Sequence, residues 1–247
     1  KRFDLIPPGF AFASSIALVA GLCVLAVVQN SSALARFTIL AGFMAPLWLS
    51  AGSGNHVGLF SYYAVLNAGI FAIAWFRPWR ALNLLGFAFT FGIGTFWGVL
   101  QYVPDKFSST EPFLLLFFVF YLLIPLLYAR RQPASRRDLI DGSLVFGTPL
   151  VAFSLQAGML HEQPMTLALC ALGLAAIYAV LARTLIARAS YTVLAQSHAV
   201  LAVGFATLAV PLALSARATG AVFALEGAGL AWLGRRQKRG LPQVTGA

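Results

Sequence analysis

Long apolar stretches occupy most of the chain, and short polar segments separate them. A membrane-spanning helix needs about 20 mainly apolar residues. We predict a helix for each of nine stretches, at residues 9–28, 37–50, 57–76, 81–103, 112–129, 139–160, 164–182, 191–215 and 218–234. The second stretch is short and extends toward Ala33. None alternates apolar and polar residues as barrel strands do. The predicted fold class is therefore an all-α polytopic transmembrane helix bundle of about nine spans.

Composition supports a membrane protein. Of the 247 residues, 60% are hydrophobic and 10% are charged, whereas soluble domains carry about 25% charged residues. The connecting segments are too short for a soluble domain, so we expect residues 1–247 to form a single transmembrane domain. The chain starts at Lys1 without an initiator methionine, and we expect it to be part of a longer chain.

Lys and Arg distribute unequally between the two sides of the predicted bundle. Thirteen of the 17 lie on one side and four on the other. Basic loops stay in the cytoplasm, so we predict that the basic tail at 235–247 is cytoplasmic and the N-terminus outside. The net charge of +10 then fits anionic inner-leaflet lipids. We expect membrane lipids as partners, together with protein partners or further helices of the same chain, and no nucleic acid.

Glu226 lies in an otherwise uncharged apolar run at 218–234. An ionised acid at the centre of a bilayer costs about 2.5–3.5 kcal/mol on translocon scales, so we expect Glu226 to face the bundle interior. His198 is the leading candidate for its partner, because both lie near the predicted midplane. Such a pair is either a proton or cation site or a structural hydrogen bond. We favour the structural pair, because no second carboxylate at that depth continues a relay.

Polar residues also collect in the segments that we place on the outer side. They are Asn55, His56, Glu111, His161 and Glu162. Imidazoles and carboxylates bind metals or transfer protons, but these residues are far apart and lack the spacing of a metal or catalytic motif. Cys23 and Cys170 lie in separate apolar runs without ligand spacing. We therefore predict no metal site, no cofactor and no catalytic residue, and expect solvated loop residues.

Two further patterns concern contacts between helices. Small residues recur every fourth position at Ala13, Ala17 and Gly21 and at Gly94 and Gly98, a spacing that favours close helix packing in lipid. Amides within or near the spans are expected to link helices through hydrogen bonds; they are Asn67, Asn83, Gln101 and Gln156.

Several strings resemble a known family. They are GSGNHVGLFSYYAVLNAGI at 52–70, WRALNLLGFAFTF at 79–91, TEPFLLLFFVFYLLIPLLYA at 110–129, DGSLVFGTPLVAFSLQAGM at 141–159, FATLAVPLAL at 205–214 and ALEGAGLAWLGRRQ at 224–237. The chain resembles the bacterial predicted membrane protein family called domain of unknown function 2339. The resemblance implies a bacterial inner membrane and a longer parent protein. It carries over no catalytic residues, because the family has no established activity.

Three functions stay open from the sequence. The first is a transport-like or ligand-binding protein with a buried polar site near Glu226. The second is a non-catalytic scaffold or assembly subunit of an envelope complex. The third is a membrane enzyme that acts on lipid or glycan at the outer face. Because no catalytic motif is present, we expect the protein not to be an enzyme.

The orientation is testable at Ser135, which lies in the basic segment between the fifth and sixth predicted spans. A cysteine placed there should react with a membrane-impermeant maleimide only after the membrane is permeabilised, because the positive-inside rule puts this segment in the cytoplasm. Labelling of this cysteine in intact cells or spheroplasts would show that the orientation is the reverse of the predicted one.

Overall fold

A computed structural model describes residues 8–49, 55–129, 139–188, 191–214 and 227. Within them lie eight α-helices, with no strand: α1 (Pro8–Val28), α2 (Ser32–Leu49), α3 (His56–Phe76), α4 (Arg80–Gln101), α5 (Phe107–Ala129), α6 (Leu139–Met159), α7 (Pro164–Leu185) and α8 (Thr192–Ala213). A 3₁₀ turn at Pro104–Lys106 precedes α5. The prediction of an all-helical fold is confirmed for this part of the chain.

The number of spans differs from the predicted nine. In the described ranges, six helices, α3 to α8, are long and apolar enough to cross a membrane. The first two helices contain shorter apolar stretches, Ala13–Val28 and Ser32–Pro46. The ninth predicted stretch, at 218–234, lies outside the described residues except for Gly227. The count of nine is therefore not confirmed.

Two helices begin earlier than the apolar pattern predicts. The second begins at Ser32, five residues before its apolar run and next to Ala33, toward which the prediction extended it; the Ser31 hydroxyl accepts a hydrogen bond from the amide of Leu34 at 3.3 Å and caps the N-terminus. The fifth begins at Phe107 rather than at residue 112, because the 3₁₀ turn leads directly into it. Capping and turn geometry thus extend both helices beyond their hydrophobic runs.

A left-handed residue joins α1 to α2. Asn30 has a φ of 52°, which asparagine tolerates better than most residues. The amide of Asn30 bonds to the carbonyl of Val27 at 3.2 Å, and that of Ser31 bonds to Ala26 at 2.9 Å. These two bonds are the Schellman pattern, which satisfies carbonyls at the end of a helix and lets α2 turn back along α1.

The chain divides into two compact units, Lys1–Met159 with Ala182–Ser197, and Leu160–Leu181 with His198–Ala247. In the first unit, helices α3, α5, α6 and α4 form a ring in which each packs against the next. The α1–α2 hairpin packs against α3 and α4. The first unit therefore has a four-helix ring as its centre, flanked on one side by the hairpin.

Tyrosines of α3 compensate for a proline in α2. Pro46 has no amide hydrogen, so the carbonyl of Gly42, four residues earlier, loses its helical donor. The hydroxyl of Tyr62 donates to that carbonyl at 3.0 Å, and Tyr63 donates to the next carbonyl, of Phe43, at 3.2 Å. In a bilayer such carbonyls need a partner from the protein, so these bonds fix α3 against the proline-containing turn.

A buried polar network joins three helices of the ring at mid-depth. The Asn67 amide nitrogen donates to the Thr90 hydroxyl at 2.8 Å, and the Tyr121 hydroxyl donates to the Asn67 carbonyl oxygen at 2.5 Å. All three side chains are buried. Asn67 thus links α3 to α4 and α5, as predicted. Asn83 does not link helices; its side chain bonds to Trp79 of its own helix at 3.2 Å.

Glycine packing differs from the prediction. A side-chain carbon at Gly86 would lie 2.5 Å from Ile70 and 2.7 Å from the Tyr121 hydroxyl, so this glycine permits the close contact between α4 and its neighbours. A carbon added at Gly21, Gly94 or Gly98 would meet nothing within 4 Å. Among the described residues, therefore, these three glycines make no close helix contact, because a spacing of four residues does not specify what the glycines face.

Candidate functional site

One end of the four-helix ring holds a partly open cavity of about 540 Å³. We call it the His56 end, because α3 begins there at His56 while α4 and α6 end there and α5 begins there. The volume lies within the range of about 300–1,000 Å³ that small-molecule sites occupy. The ring is therefore filled at mid-depth by the Asn67 network and open at this end.

The cavity wall is mostly apolar and carries no charged side chain among the residues that line it. Aromatic rings supply much of the surface: Phe60, Phe91, Trp97, Tyr102, Phe113 and Phe117. Glycines 94, 98 and 158 leave space on α4 and α6, and four hydroxyl side chains, Thr90, Thr95, Thr110 and Ser154, interrupt the apolar wall. This combination matches sites that bind apolar molecules and orient them through a few polar groups.

Thr110 has a buried hydroxyl whose hydrogen-bonding capacity none of the described residues uses. Its side chain is 8% exposed, and its buried hydroxyl has no hydrogen-bond partner among the described residues. By contrast, the hydroxyls of Thr95 and Ser154 donate to Phe91 and Leu150 of their own helices at 2.7 and 2.8 Å. A buried hydroxyl without a partner costs about 1–3 kcal/mol, so Thr110 is the polar wall residue with most to gain from a further partner.

His56 lies at the rim, against the outer side of the Trp97 ring. The two rings stack with centroids 5.1 Å apart, and His56 Nε2 lies 2.8 Å from the Ser109 hydroxyl at the start of α5. Asn55 caps α3, since its side-chain oxygen accepts from the amide of Gly58 at 2.9 Å. His56 therefore connects α3, α4 and α5 at the rim, and Asn55 is a capping residue.

Lys106 occupies the same rim. Its ammonium lies 5.5 Å from the centre of the Trp97 ring, within the range of a cation–π contact, and donates to the carbonyl of Gln101 at 2.8 Å. Tyr102, whose ring centroid lies 6.5 Å from that of Trp97, donates to the carbonyl of Met159 at 3.5 Å.

Glu111 pairs with Gln156 across α5 and α6. The Gln156 amide donates to Glu111 Oε1 at 2.9 Å, and Gln156 is 7% exposed. The other carboxylate oxygen of Glu111, Oε2, is buried and has no hydrogen-bond partner in the described part of the chain. Gln156 thus links helices as predicted, but the expectation of a solvated loop position for Glu111 is wrong, because α5 begins before it and carries it against α6.

The second unit contains the remaining predicted residues that the structure describes. His161 and Glu162 are exposed, with Nε2 and Oε1 3.6 Å apart, as expected for solvated loop residues. His198 is buried at 2% exposure, and its ring stacks on Tyr178 at 5.4 Å. Glu226 lies outside the described residues. The pairing of Glu226 with His198 therefore stays a prediction.

Among the described residues, no group of three or more His, Cys, Asp or Glu side chains could hold a metal ion. The structure instead assembles an apolar cavity from residues that the sequence analysis did not select, chiefly Trp97 and Thr110. Only the small-residue spacing at Gly94 and Gly98 had marked part of this wall, and it predicted a helix contact there.

The Glu111–Gln156 pair is testable by a double-mutant cycle. Gln156→Leu should lower stability by about 1–3 kcal/mol, because it leaves a buried carboxylate without its donor, whereas removing both partners is nearly neutral. The double variant Glu111→Leu/Gln156→Leu should therefore melt higher than Gln156→Leu alone. Thermal unfolding in detergent micelles measures both.

Ser154→Ala, on the same helix, is the control and should change the melting temperature little, because this exposed hydroxyl bonds only to its own helix. A double variant less stable than Gln156→Leu would mean that the pair does not act as a unit.

Comparison with known proteins identifies a family without an assigned reaction. No curated protein matches the chain, and no solved structure matches it. The model of the family described as predicted membrane protein, DUF2339, matches residues 1–247. The match covers the whole chain, and the all-helical structure with six helices able to cross a membrane agrees with it. The chain therefore belongs to the DUF2339 family of predicted membrane proteins.

Proposed function

We propose that this protein binds an apolar small molecule in the cavity at the His56 end of the four-helix ring. The observation that carries the proposal is the cavity itself, about 540 Å³ with a wall of aromatic and aliphatic side chains. A solid bundle would favour a scaffold, and a convergence of catalytic groups would favour an enzyme. The described residues of the first unit instead leave a space that exceeds by far the roughly 30 Å³ that one water occupies in the liquid.

The polar groups around the cavity suit recognition rather than chemistry. The unpartnered hydroxyl of Thr110 offers a hydrogen bond within the wall. Lys106 and His56 lie behind Trp97 at the rim, where they would meet a polar end of the ligand. A binding protein and a transporter would use the same cavity. They differ in that a transporter would release the ligand from a different side of the protein.

We also propose the finer membrane arrangement. The chain would cross a bacterial inner membrane nine times, with the N-terminus outside and the basic tail at 235–247 in the cytoplasm, where anionic lipids and further helices or proteins are its partners. The unequal distribution of Lys and Arg supports the orientation. The six helices that are able to span a membrane and the two shorter apolar helices support eight of these nine proposed crossings. In this arrangement the His56 end faces outward.

Binding is testable by filling the cavity. Leu155→Trp places a larger side chain in the wall of α6 and should weaken the binding of a neutral naphthalene fluorophore about tenfold or more, equivalent to about 1.4 kcal/mol. Fluorescence titration of the purified full chain in detergent measures the change in Kd.

Leu150→Trp is the matched control, since Leu150 is on the same helix, is 55% exposed and does not line the cavity. It should leave Kd unchanged, and both variants should keep the melting temperature of the unmodified protein. If the two variants bind the fluorophore with equal affinity, or if binding is not saturable, the proposed function is wrong.

Glu226 gives a second test, independent of the cavity. We propose that it faces the protein interior with His198 as its partner, and the burial of His198 supports this. Glu226→Gln should keep the melting temperature, because an amide still forms hydrogen bonds, whereas Glu226→Leu should lower it. If Glu226→Leu is as stable as the unmodified protein, the carboxyl group has no buried partner.

A further inference from the structure

The exposed part of the cavity wall is confined to two helices. Four lining residues are exposed: Thr95 and Val99 of α4, and Ser154 and Gly158 of α6. The lining residues from α3 and α5 are buried or half-buried, and Phe60, Thr110, Leu114 and Phe117 are all buried. Residues that line a cavity and are also exposed border its opening. The cavity therefore opens sideways, between α4 and α6.

The glycines of these helices show where the gap lies. Toward the opposite end the helices meet, because a side-chain carbon at Gly147 of α6 would lie 3.2 Å from the Phe87 ring of α4. Toward the His56 end, a carbon added at Gly94, Gly98 or Gly158 would meet nothing within 4 Å. The two helices therefore contact each other near Phe87 and again at their ends, where Tyr102 bonds to Met159. Among the described residues they leave a gap between these two levels, beside Gly94, Gly98 and Gly158.

The gap lies at the depth of lipid chains. Both helices are candidate membrane spans, Arg80–Gln101 and Gly142–Met159. At 1.5 Å per residue, Thr95 is about 9 Å and Ser154 about 7.5 Å from the last residue of its span. Val99, at the edge of the gap, is 80% exposed. The gap thus begins near the membrane surface and continues into the level occupied by the upper part of the acyl chains.

We propose that an acyl chain of a membrane phospholipid enters the cavity sideways through the gap between α4 and α6. This inference rests on the proposed binding function and names its ligand. The uncharged lining complements a hydrocarbon chain, which would lose affinity in a charged pocket. Because exposed Val99 borders the gap on a candidate membrane span, an acyl chain would pass from lipid into the protein without crossing water. The Lys106 ammonium at the rim complements the charge of the phosphate, and it retains donors besides the one bound to Gln101.

A photoreactive phospholipid tests the route. The full chain is reconstituted in phosphatidylcholine vesicles that contain a phosphatidylcholine with a diazirine on one acyl chain, and crosslinks are mapped by mass spectrometry. Crosslinks to Phe113 and Phe117 should form in the unmodified protein, because these residues line the cavity on α5, opposite the gap. Gly98→Leu places a side chain in the gap and should reduce these crosslinks about tenfold.

Gly92→Leu is the matched control. Gly92 is on the same helix, is exposed, has nothing within 4 Å of an added carbon and does not line the cavity. Its variant should keep the crosslinks of the unmodified protein. Folding is checked by the melting temperature, and should Gly98→Leu fail to fold, Gly158→Leu on the other side of the gap replaces it.

The outcomes separate the two proposals. If the fluorophore binds and Leu155→Trp weakens it, but the phospholipid does not crosslink to the α5 wall, the lipid route is wrong and the binding function stands. If Gly98→Leu and Gly158→Leu crosslink as strongly as Gly92→Leu, the chain does not pass between α4 and α6, and the route is also wrong. If neither fluorophore nor lipid binds, both proposals fail together.

Discussion

Hydrogen bonds among Asn67, Thr90 and Tyr121 set the geometry on which the first unit depends. A bilayer core offers no water to replace them, so three helices must hold these side chains at fixed separations in the middle of the bundle. The network joins α3, α4 and α5 where Gly86 allows close approach. Toward the His56 end the same three helices are joined again at the rim, where His56 stacks on Trp97 and contacts Ser109. The cavity occurs on the side of the network where glycine replaces larger residues.

Glycine has opposite effects at two levels of α4. At Gly86 the absence of a side chain brings Ile70 and Tyr121 against the backbone, and the interior is dense. At Gly94 and Gly98 the absence of a side chain is not compensated by a neighbour, and the interior is empty. Dense packing is the rule in protein interiors, so this pair of glycines beside an apolar space agrees with the proposed binding of a small apolar molecule.

Much of the fold could be predicted from the sequence, but little of the site could. Hydrophobic length places most of the helices to within a few residues, because the bilayer imposes a minimum length on each span. It missed the start of α5 at Phe107, where a 3₁₀ turn extends the helix, and it reached the start of α2 at Ser32 only by extending a short apolar run toward Ala33. The Glu111–Gln156 pair and the wall around Trp97 join residues of different helices, and their contacts depend on helix rotation, which hydropathy does not specify. Glu226, the feature that stands out most in the sequence, lies outside the described residues.

A tilt of α4 about the contact between Phe87 and Gly147 would change the width of the gap. From Phe87 to Val99 the axis of α4 runs about 18 Å, so a tilt of about ten degrees about this contact displaces the end of the helix by roughly 3 Å. That displacement is close to the width over which van der Waals contact is made or lost. If a lipid chain enters through the gap as proposed, its entry would then depend on the tilt that the thickness of the surrounding bilayer imposes on α4.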